Sequence, residues 1–295
     1  MTKKKKIIVI ISTIAFVTIC LVIFYIISNK DNVTKVQVGC KYIIKYSGKE
    51  LTEGERLPRK PEQGDIYVTE DYLYIYYDGV YHDDPYSDIG LEEDEELKGW
   101  HHRVTKHKES YEEIATKIAG EPVVNVSFWG AAKMIKSPKI PKYVVNMYNA
   151  FYGCTSLKEA PKLPKNLEIM EAMFVDCVSL ENAPVIPSKV TDLSAVFNNC
   201  ISLKKAPVIP EGVTSMRSTF VGCENLQEAP VIPKNVKNMN HTFMGCISLS
   251  GTIEINANPD KYEKCFADID FEKQNITLSG SSDMLEKLKT QNKGY

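Results

Sequence analysis

Apolar side chains recur every 23 residues along the second half of the chain, and this period constrains the fold more than any other feature. Phenylalanine holds one register of the repeat, and cysteine holds a second register three residues later. A fixed period of this length is typical of a solenoid, in which each coil stacks on the next. The predicted repeat core contains Phe128, Phe151, Phe174, Phe197, Phe220, Phe243, Phe266, Cys154, Cys177, Cys200, Cys223 and Cys246.

A single repeat unit is not stable alone. Each unit buries about six apolar side chains at roughly 1.5–3 kcal/mol each, on the order of 10–15 kcal/mol in total. Ordering the unit costs more, because backbone entropy alone costs about 1–2 kcal/mol per residue. We therefore expect residues 121–266 to form a stack in which each coil is held by its neighbours.

Within each unit the residue types predict a short strand followed by a short helical turn. The stretch from Val213 to Met216 suits a strand, and the residues that follow it, up to Cys223, suit a helical turn. The Ala-Pro-x-Ile-Pro stretch must be extended, because proline lacks a backbone N–H and biases the preceding residue toward β or polyproline II conformation. This edge therefore cannot carry a full hydrogen-bonded ladder.

The cysteine register raises the alternatives of disulfides, a metal site or buried thiols. Equivalent residues on stacked coils lie ~4.8 Å apart with parallel side chains, whereas a disulfide requires facing Cβ atoms ~3.5–4.5 Å apart. Five cysteines in one ladder cannot all pair with one another, so we interpret them as reduced thiols that act as small apolar side chains. We predict no metal and no cofactor. The states of Cys40 and Cys265, off this register, stay open.

The unit from Thr219 to Val236 reads Thr-Phe-Val-Gly-Cys-x-x-Leu-x-x-Ala-Pro-x-Ile-Pro-x-x-Val. It resembles the repeats of BspA-like bacterial leucine-rich-repeat surface proteins, whose common form is Ala-Phe-x-Gly-Cys-x-x-Leu-x-x-Ile-x-Ile-Pro-x-x-Val. This chain has one more residue before the Ile-Pro pair and one fewer before the Phe. The resemblance implies a leucine-rich-repeat-like solenoid, export from the cell and an interaction role, which in many members is adhesion to host proteins or other cells.

The N-terminus carries a predicted transmembrane helix. Lys3–Lys6 precede an uncharged run, Ile7–Ile27, that would span roughly 31 Å as a helix and so match a bilayer core. The run is longer than the apolar part of a cleaved signal peptide and lacks a small-residue cleavage site. We predict an uncleaved signal anchor at 7–28, with the lysines cytoplasmic and the domains after the anchor extracellular.

Residues 29–120 predict a juxtamembrane linker and a small β-rich domain that ends in a short helix. Residues 64–79 alternate with a strand period, and residues 100–104 form a second strand-like run. Ser110 and Glu113 form a capping box, which predicts the start of the short helix. We expect this domain to cap the first coil of the solenoid.

Several residues of this domain are candidates for a binding site. Three tyrosines lie on one face of a predicted strand: Tyr72, Tyr74 and Tyr76. They would form a stacking platform for a sugar or peptide, or they would cover the sheet against its own neighbours. We favour the second interpretation. Four histidines suggest a metal site: His82, His101, His102 and His107. Because adjacent strand residues point to opposite faces, His101 and His102 cannot simply converge on one metal, and we do not favour this site. The acidic run 83–96 lacks EF-hand spacing, so we interpret it as a solvated loop.

The remaining features favour binding over catalysis. A formal net charge of −2 gives no sign of a nucleic-acid-binding surface. The sequence contains no Gly-rich phosphate loop, zincin helix or nucleophile elbow. Our leading hypothesis is a non-catalytic, surface-anchored recognition or adhesion protein with an extracellular protein or glycan partner. The alternatives are a structural envelope scaffold without ligand recognition and a carbohydrate-active enzyme that uses the β-rich domain.

Specificity for a partner would come from exposed positions at which the residue type changes from one repeat to the next. The alternative is that these positions only keep the surface soluble. Two candidate partner-binding rows meet this condition: Lys158, Glu181, Lys204 and Gln227, and Lys165, Ser188, Glu211 and Lys234. The sequence leaves the oligomeric state open. The predicted domains are the cytoplasmic segment 1–6, the anchor 7–28, the linker and β-rich domain 29–120, the solenoid 121–266 and a C-terminal cap 267–295.

Overall fold

The computed structural model describes the solenoid, the C-terminal region and parts of the domain that precedes them. The described residues are 34–38, 41–45, 66–68, 72–77, 98–104, 108–111, 113–118 and 121–292. The predicted cytoplasmic segment and anchor lie outside these residues, so the anchor stays a prediction. Within the described residues, no helix is both long enough and apolar enough to cross a bilayer.

A seven-stranded sheet forms the N-terminal part of the described structure. Its strands are β1 Thr34–Val38, β2 Lys41–Lys45, β3 Ile66–Val68, β4 Tyr72–Tyr77, β5 Gly99–Val104, β6 Lys117–Ile118 and β7 Glu121–Asn125. Strands β1 to β5 form an antiparallel meander in chain order. Strand β5 then pairs in parallel with β7, whose other edge pairs antiparallel with β6. The β-rich domain therefore ends on a strand that belongs to the solenoid.

Strands β3, β4 and β5 confirm the strands predicted from sequence alternation, whereas the helix predicted from Ser110 is wrong. No helix occurs among the described residues of 108–118, and β6 takes its place. The Tyr74 hydroxyl accepts a hydrogen bond from the Ala115 backbone N–H at 3.2 Å. Thr116 O accepts another from Val123 N at 3.1 Å. These contacts to the sheet outweigh the local preference for a helix.

The sheet continues directly into the solenoid. Asn125, the last residue of β7, bridges in parallel to Asn146, which bridges in turn to Ile169. The ring centroids of Tyr72 and Phe128 lie 6.5 Å apart, so the aromatic side chains of β4 pack on the first coil. The β-rich domain thus covers the N-terminal end of the stacked core.

We number the coils by their phenylalanines, so that coil 1 begins at Phe128, coil 2 at Phe151 and coil 7 at Phe266. Two edges of each coil meet the next coil through isolated parallel bridges, such as Ser215 to Asn238 and Lys205 to Glu228. Residues 126–250 contain neither a regular strand nor a helix. The prediction of a short strand plus a short helical turn in each unit is therefore wrong in detail, because the strand is reduced to a single bridged residue.

Left-handed residues replace the predicted helical turn. Ala172 and Asp176, two residues before and two after Phe174, have φ values of 51° and 59°. Such residues interrupt a helix. As a result, Phe174 N donates to Val196 O, 22 residues later in the chain, at 2.9 Å, while Cys177 N donates to Phe174 O, three residues earlier, at 3.1 Å. The same pair of positions has positive φ at Asn149 and Gly153, Ala195 and Asn199, Ser218 and Gly222, His241 and Gly245, and Lys264 and Asp268.

The phenylalanines form one continuous stack through the solenoid. Neighbouring ring centroids lie 5.1 to 5.7 Å apart, and the ring planes are within 13° of parallel. All seven rings are buried. The regular spacing shows that the sequence period corresponds to one coil, so each ring packs between the rings of its neighbours.

A short parallel sheet and a helix close the C-terminal end. Strand β8, Gly251–Ile255, pairs with β9, Ile276–Gly280, and helix α1, Ser282–Asn292, follows. Met284 and Leu288, four residues apart on α1, are both buried. This apolar face of the helix packs on the core and so covers the last coil.

Candidate functional site

The first predicted row crosses coils 2 to 5, and all of its members are exposed: Lys158, Glu181, Lys204 and Gln227. Glu181 N donates to Lys158 O at 3.1 Å, and Gln227 N donates to Lys204 O at 2.9 Å. These inter-coil hydrogen bonds hold the backbone beneath the side chains. With ~4.8 Å between coils, the row extends over roughly 14 Å.

The second predicted row, also exposed, lies in the turns that follow the Ile-Pro or Leu-Pro pairs: Lys165, Ser188, Glu211 and Lys234. Leu167 N donates to Pro164 O at 3.1 Å and so closes the turn around Lys165. The equivalent bond from Val190 N to Pro187 O, also 3.1 Å, closes the turn around Ser188. Each row member therefore has a fixed backbone position and a side chain in solvent.

Three ion pairs connect neighbouring coils on the exposed surface. Lys204 Nζ lies 3.8 Å from a carboxylate oxygen of Glu181, within the first row. The other two pairs are Lys189 with Glu168 at 2.5 Å and Lys205 with Glu228 at 2.6 Å. Because solvent screens all three, we expect each to contribute at most about 1 kcal/mol to stability.

The six cysteines within the described residues are free thiols, and each thiol in the repeat register forms a hydrogen bond with the preceding coil. Cys177 Sγ donates to Phe151 O at 3.1 Å, and the four other cysteines of this register make the same contact at 3.0 to 3.3 Å. Burial raises the pKa of the Cys154 and Cys223 thiols to about 12. The thiols are therefore protonated donors at neutral pH, a role that the sequence period alone does not reveal.

Cys265, which lies outside the cysteine register, is also a buried free thiol. It immediately precedes Phe266 and so occupies the position held by Thr219 and Thr242 in coils 4 and 5. Burial raises its pKa to about 12, partly opposed by a hydrogen bond with Thr242. Cys40 lies outside the described residues.

The tyrosine platform on β4 is not available to a ligand, because Tyr72, Tyr74 and Tyr76 are all buried. His101 and His102 are buried as well. The ring of His102 packs against Tyr72 at 4.4 Å and Phe128 at 5.1 Å. Burial, reinforced by the nearby Arg103 charge, holds the pKa of His102 well below its usual value. These residues form the junction between the sheet and coil 1.

The remaining candidates do not assemble into a site within the described structure. His82, His107 and the acidic run 83–96 lie outside the described residues. Among the residues that are described, no three or more His, Cys, Asp or Glu side chains converge as metal ligands would. The exposed surface of the solenoid is therefore the part of the molecule that presents candidate binding residues.

Comparison with known proteins identifies this solenoid. Residues 125–250 match the family model of the BspA type leucine rich repeat region, in six copies. They are BspA-type leucine-rich repeats. The match confirms the resemblance of the Phe, Cys and Ile-Pro registers and the repeat class of the fold. A search of curated proteins found no match to the chain.

Several solved structures are similar to the chain that carries these BspA-type repeats. A leucine-rich-repeat protein of T. pallidum has 26% identity and a TM-score of 0.44, with 62% of this chain and 82% of that one covered. A leucine-rich cell surface protein of Faecalibacterium prausnitzii also has 26% identity, with a TM-score of 0.37 and coverage of 60% and 40%. The pneumococcal vaccine antigen PcpA has 20% identity, a TM-score of 0.38 and coverage of 54% and 39%. Since these TM-scores lie below 0.5, the fold assignment rests on the family model and on the coil geometry.

These BspA-type repeats also expose a row of valines that the sequence reasoning missed. Val185, Val208 and Val231 are 89%, 88% and 51% exposed and occupy the variable position of Ala-Pro-x-Ile-Pro in coils 3 to 5. The following isoleucines, such as Ile186, are buried. Side chains alternate along an extended segment, so the residue before a buried isoleucine points outward. That alternation was the signal in the sequence.

Proposed function

We propose that this chain is a surface-anchored recognition protein whose repeat solenoid binds an extracellular protein or glycan partner without catalysis. The observation that carries the proposal is the contrast between coil interior and coil surface. The interior repeats the same side chains, whereas the first row changes from Lys158 to Glu181 to Lys204 to Gln227 on a backbone held by inter-coil bonds. A rigid array of varied side chains is suited to specific recognition.

The proposed attachment to the surface depends on the N-terminal sequence. The apolar run at 7–28 is long enough to span a bilayer, and the lysines before it favour a cytoplasmic N-terminus. This topology would make the protein a single-pass membrane protein with an extracellular solenoid. The BspA-like repeat class supports a surface role, because members of that class are exported.

A structural scaffold without ligand recognition is the second candidate. It is favoured by the ion pair between Lys204 and Glu181, which links two members of the first row to each other. In a scaffold, such pairs would serve only to solubilise and stabilise the surface. The third alternative, an enzyme built on the β-rich domain, gains no support from Tyr72, Tyr74 or His102, because all three are buried.

Affinity capture with a matched pair of variants tests recognition against scaffolding. The solubilised full chain is used to capture partners from host-cell and envelope extracts, and saturable binding is quantified. Glu181→Ala with Lys204→Ala alters the first row, while Glu168→Ala with Lys189→Ala removes another exposed inter-coil ion pair outside both rows. Recognition predicts that the row variant loses at least about ten-fold in affinity, equivalent to about 1.4 kcal/mol, while the control keeps its affinity. Absence of any saturable partner would favour the scaffold.

A further inference from the structure

Positive charge is concentrated at the start of the solenoid. The segment 128–166 contains seven lysines, one carboxylate and no arginine. The next segment, 167–200, reverses this balance, with one lysine and five carboxylates. A net charge of −2 for the whole chain therefore hides a basic segment, 128–166, within coils 1 and 2.

Four of these lysines stack in two pairs and form what we call the lysine face: Lys139, Lys142, Lys162 and Lys165. Lys139 and Lys162 occupy the position that is valine in coils 3 to 5, and Lys142 and Lys165 occupy the turn position three residues later. All four side chains are exposed. With ~4.8 Å between coils and about 3.3 Å per extended residue, the backbone positions of the four lysines lie within roughly 10 Å along each coil and one coil spacing across.

Within the part of the chain that the structure describes, the lysines of this face form no ion pair, unlike lysines on later coils. Lys189, Lys204 and Lys205 each lie within 4 Å of a carboxylate on a neighbouring coil. Among the described residues, no carboxylate pairs with any member of the lysine face. Like charges directly opposite each other on neighbouring strands are destabilising. The surface thus retains a repulsion that a bound polyanion would relieve.

Two further contacts surround the face. Lys142 Nζ lies 4.9 Å from the ring centroid of Tyr143, and Lys117 Nζ lies 5.2 Å from the same centroid, which adds one more cation. The single carboxylate of the segment, Glu159, is bridged to Lys136 through the backbone and lies three residues before Lys162. It offsets one charge of the seven, so the region stays basic.

The same two coils expose an aromatic pair. Trp129 is 47% exposed, and its ring lies 6.4 Å from the half-buried ring of Tyr152 on coil 2. Lys133 follows Trp129 by four residues in the same coil. Aromatic rings with one exposed face provide apolar contact to the C–H faces of sugar rings, whereas lysine is a point charge suited to sulfate or carboxylate groups.

We propose that the lysine face binds an anionic glycan, with Trp129 and Tyr152 as a sugar contact on the same coils. This inference rests on the proposed recognition function and names the class of partner. Lysine is a point charge that pairs with sulfate, carboxylate or phosphate groups alike. The extracellular position that we propose for the solenoid favours a sulfated or carboxylated glycan over a nucleic acid. Stacked coils present charge at a regular spacing, which suits a polymer whose charges also repeat.

Binding of defined polymers to the solubilised full chain tests the proposal. Heparin and hyaluronan serve as the sulfated and carboxylated glycans, dextran as the neutral glycan, and single-stranded DNA as a polyanion of the nucleic-acid class. The test variant replaces Lys139, Lys142, Lys162 and Lys165 by Gln. The control replaces four exposed lysines of later coils, all outside both candidate rows, by Gln, which gives the same change in net charge: Lys189, Lys205, Lys237 and Lys261.

We expect the wild-type chain and the control to bind heparin or hyaluronan and the test variant to bind at least about ten-fold more weakly. The slope of log Kd against log salt should fall by roughly three in the test variant, because each lost ionic contact removes close to one released counterion. A variant with Arg in place of the same four lysines should still bind the glycan. This variant shows whether the Gln variant loses binding through its lost charge or through misfolding. Dextran should not bind.

Three results would overturn the proposal: equal weakening in test and control variants, no binding of either anionic glycan, or equally tight, face-dependent binding of DNA. If neither glycan binds while affinity capture still finds a partner sensitive to the Glu181 and Lys204 changes, only the lysine face is refuted. If no partner is captured at all, the proposed recognition function fails independently of the lysine face.

Discussion

The buried thiols make the solenoid sensitive to alkaline pH. In the folded chain, burial raises the pKa of Cys154, Cys223 and Cys265 to about 12. Burial also raises the pKa of the three other buried cysteines well above the usual value: Cys177, Cys200 and Cys246. In the unfolded chain each thiol titrates near its ordinary pKa of about 8.5. Between these values the folded state holds protons that the unfolded state has lost, so stability is full below about pH 8.5 and falls as pH rises.

The size of this effect follows from linkage. Each thiol lowers the free energy of unfolding by about 1.4 kcal/mol per pH unit within the window. At pH 10, 1.5 units above the unfolded pKa, the three thiols with a folded pKa of about 12 together cost roughly 6 kcal/mol. The other three act in the same direction. Since small proteins are stable by about 5–15 kcal/mol, the solenoid should lose most of its stability between pH 9 and 10.

Urea unfolding at a series of pH values, with a reductant present, measures this loss. We expect a nearly constant midpoint from pH 7 to 8 and a steep decrease above pH 8.5. Replacement of Cys154, Cys223 and Cys265 by Ser should reduce the slope by roughly 4 kcal/mol per pH unit, because serine does not titrate in this range. Only the slope matters, so a lower absolute stability of the variant does not disturb the comparison. A midpoint that stays constant up to pH 10, or a slope unchanged in the variant, would refute the reasoning.

Two further predictions concern the core and the C-terminal cap. Phe197→Ala removes a fully buried ring stacked 5.7 and 5.6 Å from its two neighbours, and it should lower the free energy of urea unfolding by about 3–5 kcal/mol. Val208→Ala on the exposed row of the same coil should change it by no more than about 0.5 kcal/mol, and a similar loss in both variants would contradict the assigned core. Gly280→Ala places a Cβ 2.2 Å from Ile255 O at a φ of 149°, so we expect a loss of roughly 1–3 kcal/mol or more and reduced helical circular dichroism from α1. Gly212→Ala, whose Cβ would meet only ordinary contact at 3.6 Å, serves as the control, and an unperturbed Gly280 variant would show that the cap does not depend on this close approach.

The repeat class could be predicted from sequence because every coil buries the same side chains at the same interval. Phe174 and Phe197, for example, lie one 23-residue period apart in the sequence, and their rings stack on each other in the structure. The turn conformation could not be predicted, because Ala172 and Ala195 adopt positive φ without being Gly or Asn, the residues that usually signal it. Their N–H groups are instead satisfied by the next coil, which a single unit does not contain.

The β-rich domain shows the opposite balance between local and distant interactions. Its strands alternate clearly enough to be predicted at Tyr72–Tyr77 and Gly99–Val104. The capping box at Ser110 misled, because the Tyr74 hydroxyl takes the Ala115 N–H and β6 pairs with β7. The predicted tyrosine platform faces the protein and not a ligand, because the coil that begins at Phe128, more than 50 residues later, packs against it. Sequence alternation places residues on a face but does not tell what covers that face.

In the proposed recognition function, the inter-coil bonds would also determine which ligands the surface can select. Backbone bonds such as Glu181 N to Lys158 O fix the distance between equivalent side chains on neighbouring coils at one coil spacing, ~4.8 Å. A substitution at an exposed position therefore changes the chemistry of a row but not its spacing. A ligand that uses several coils at once must present groups at a matching interval, as an extended polymer does and a compact small molecule does not. The change from Lys162 to Val185 along one row would then let a single polymer be read first by charge and next by apolar contact.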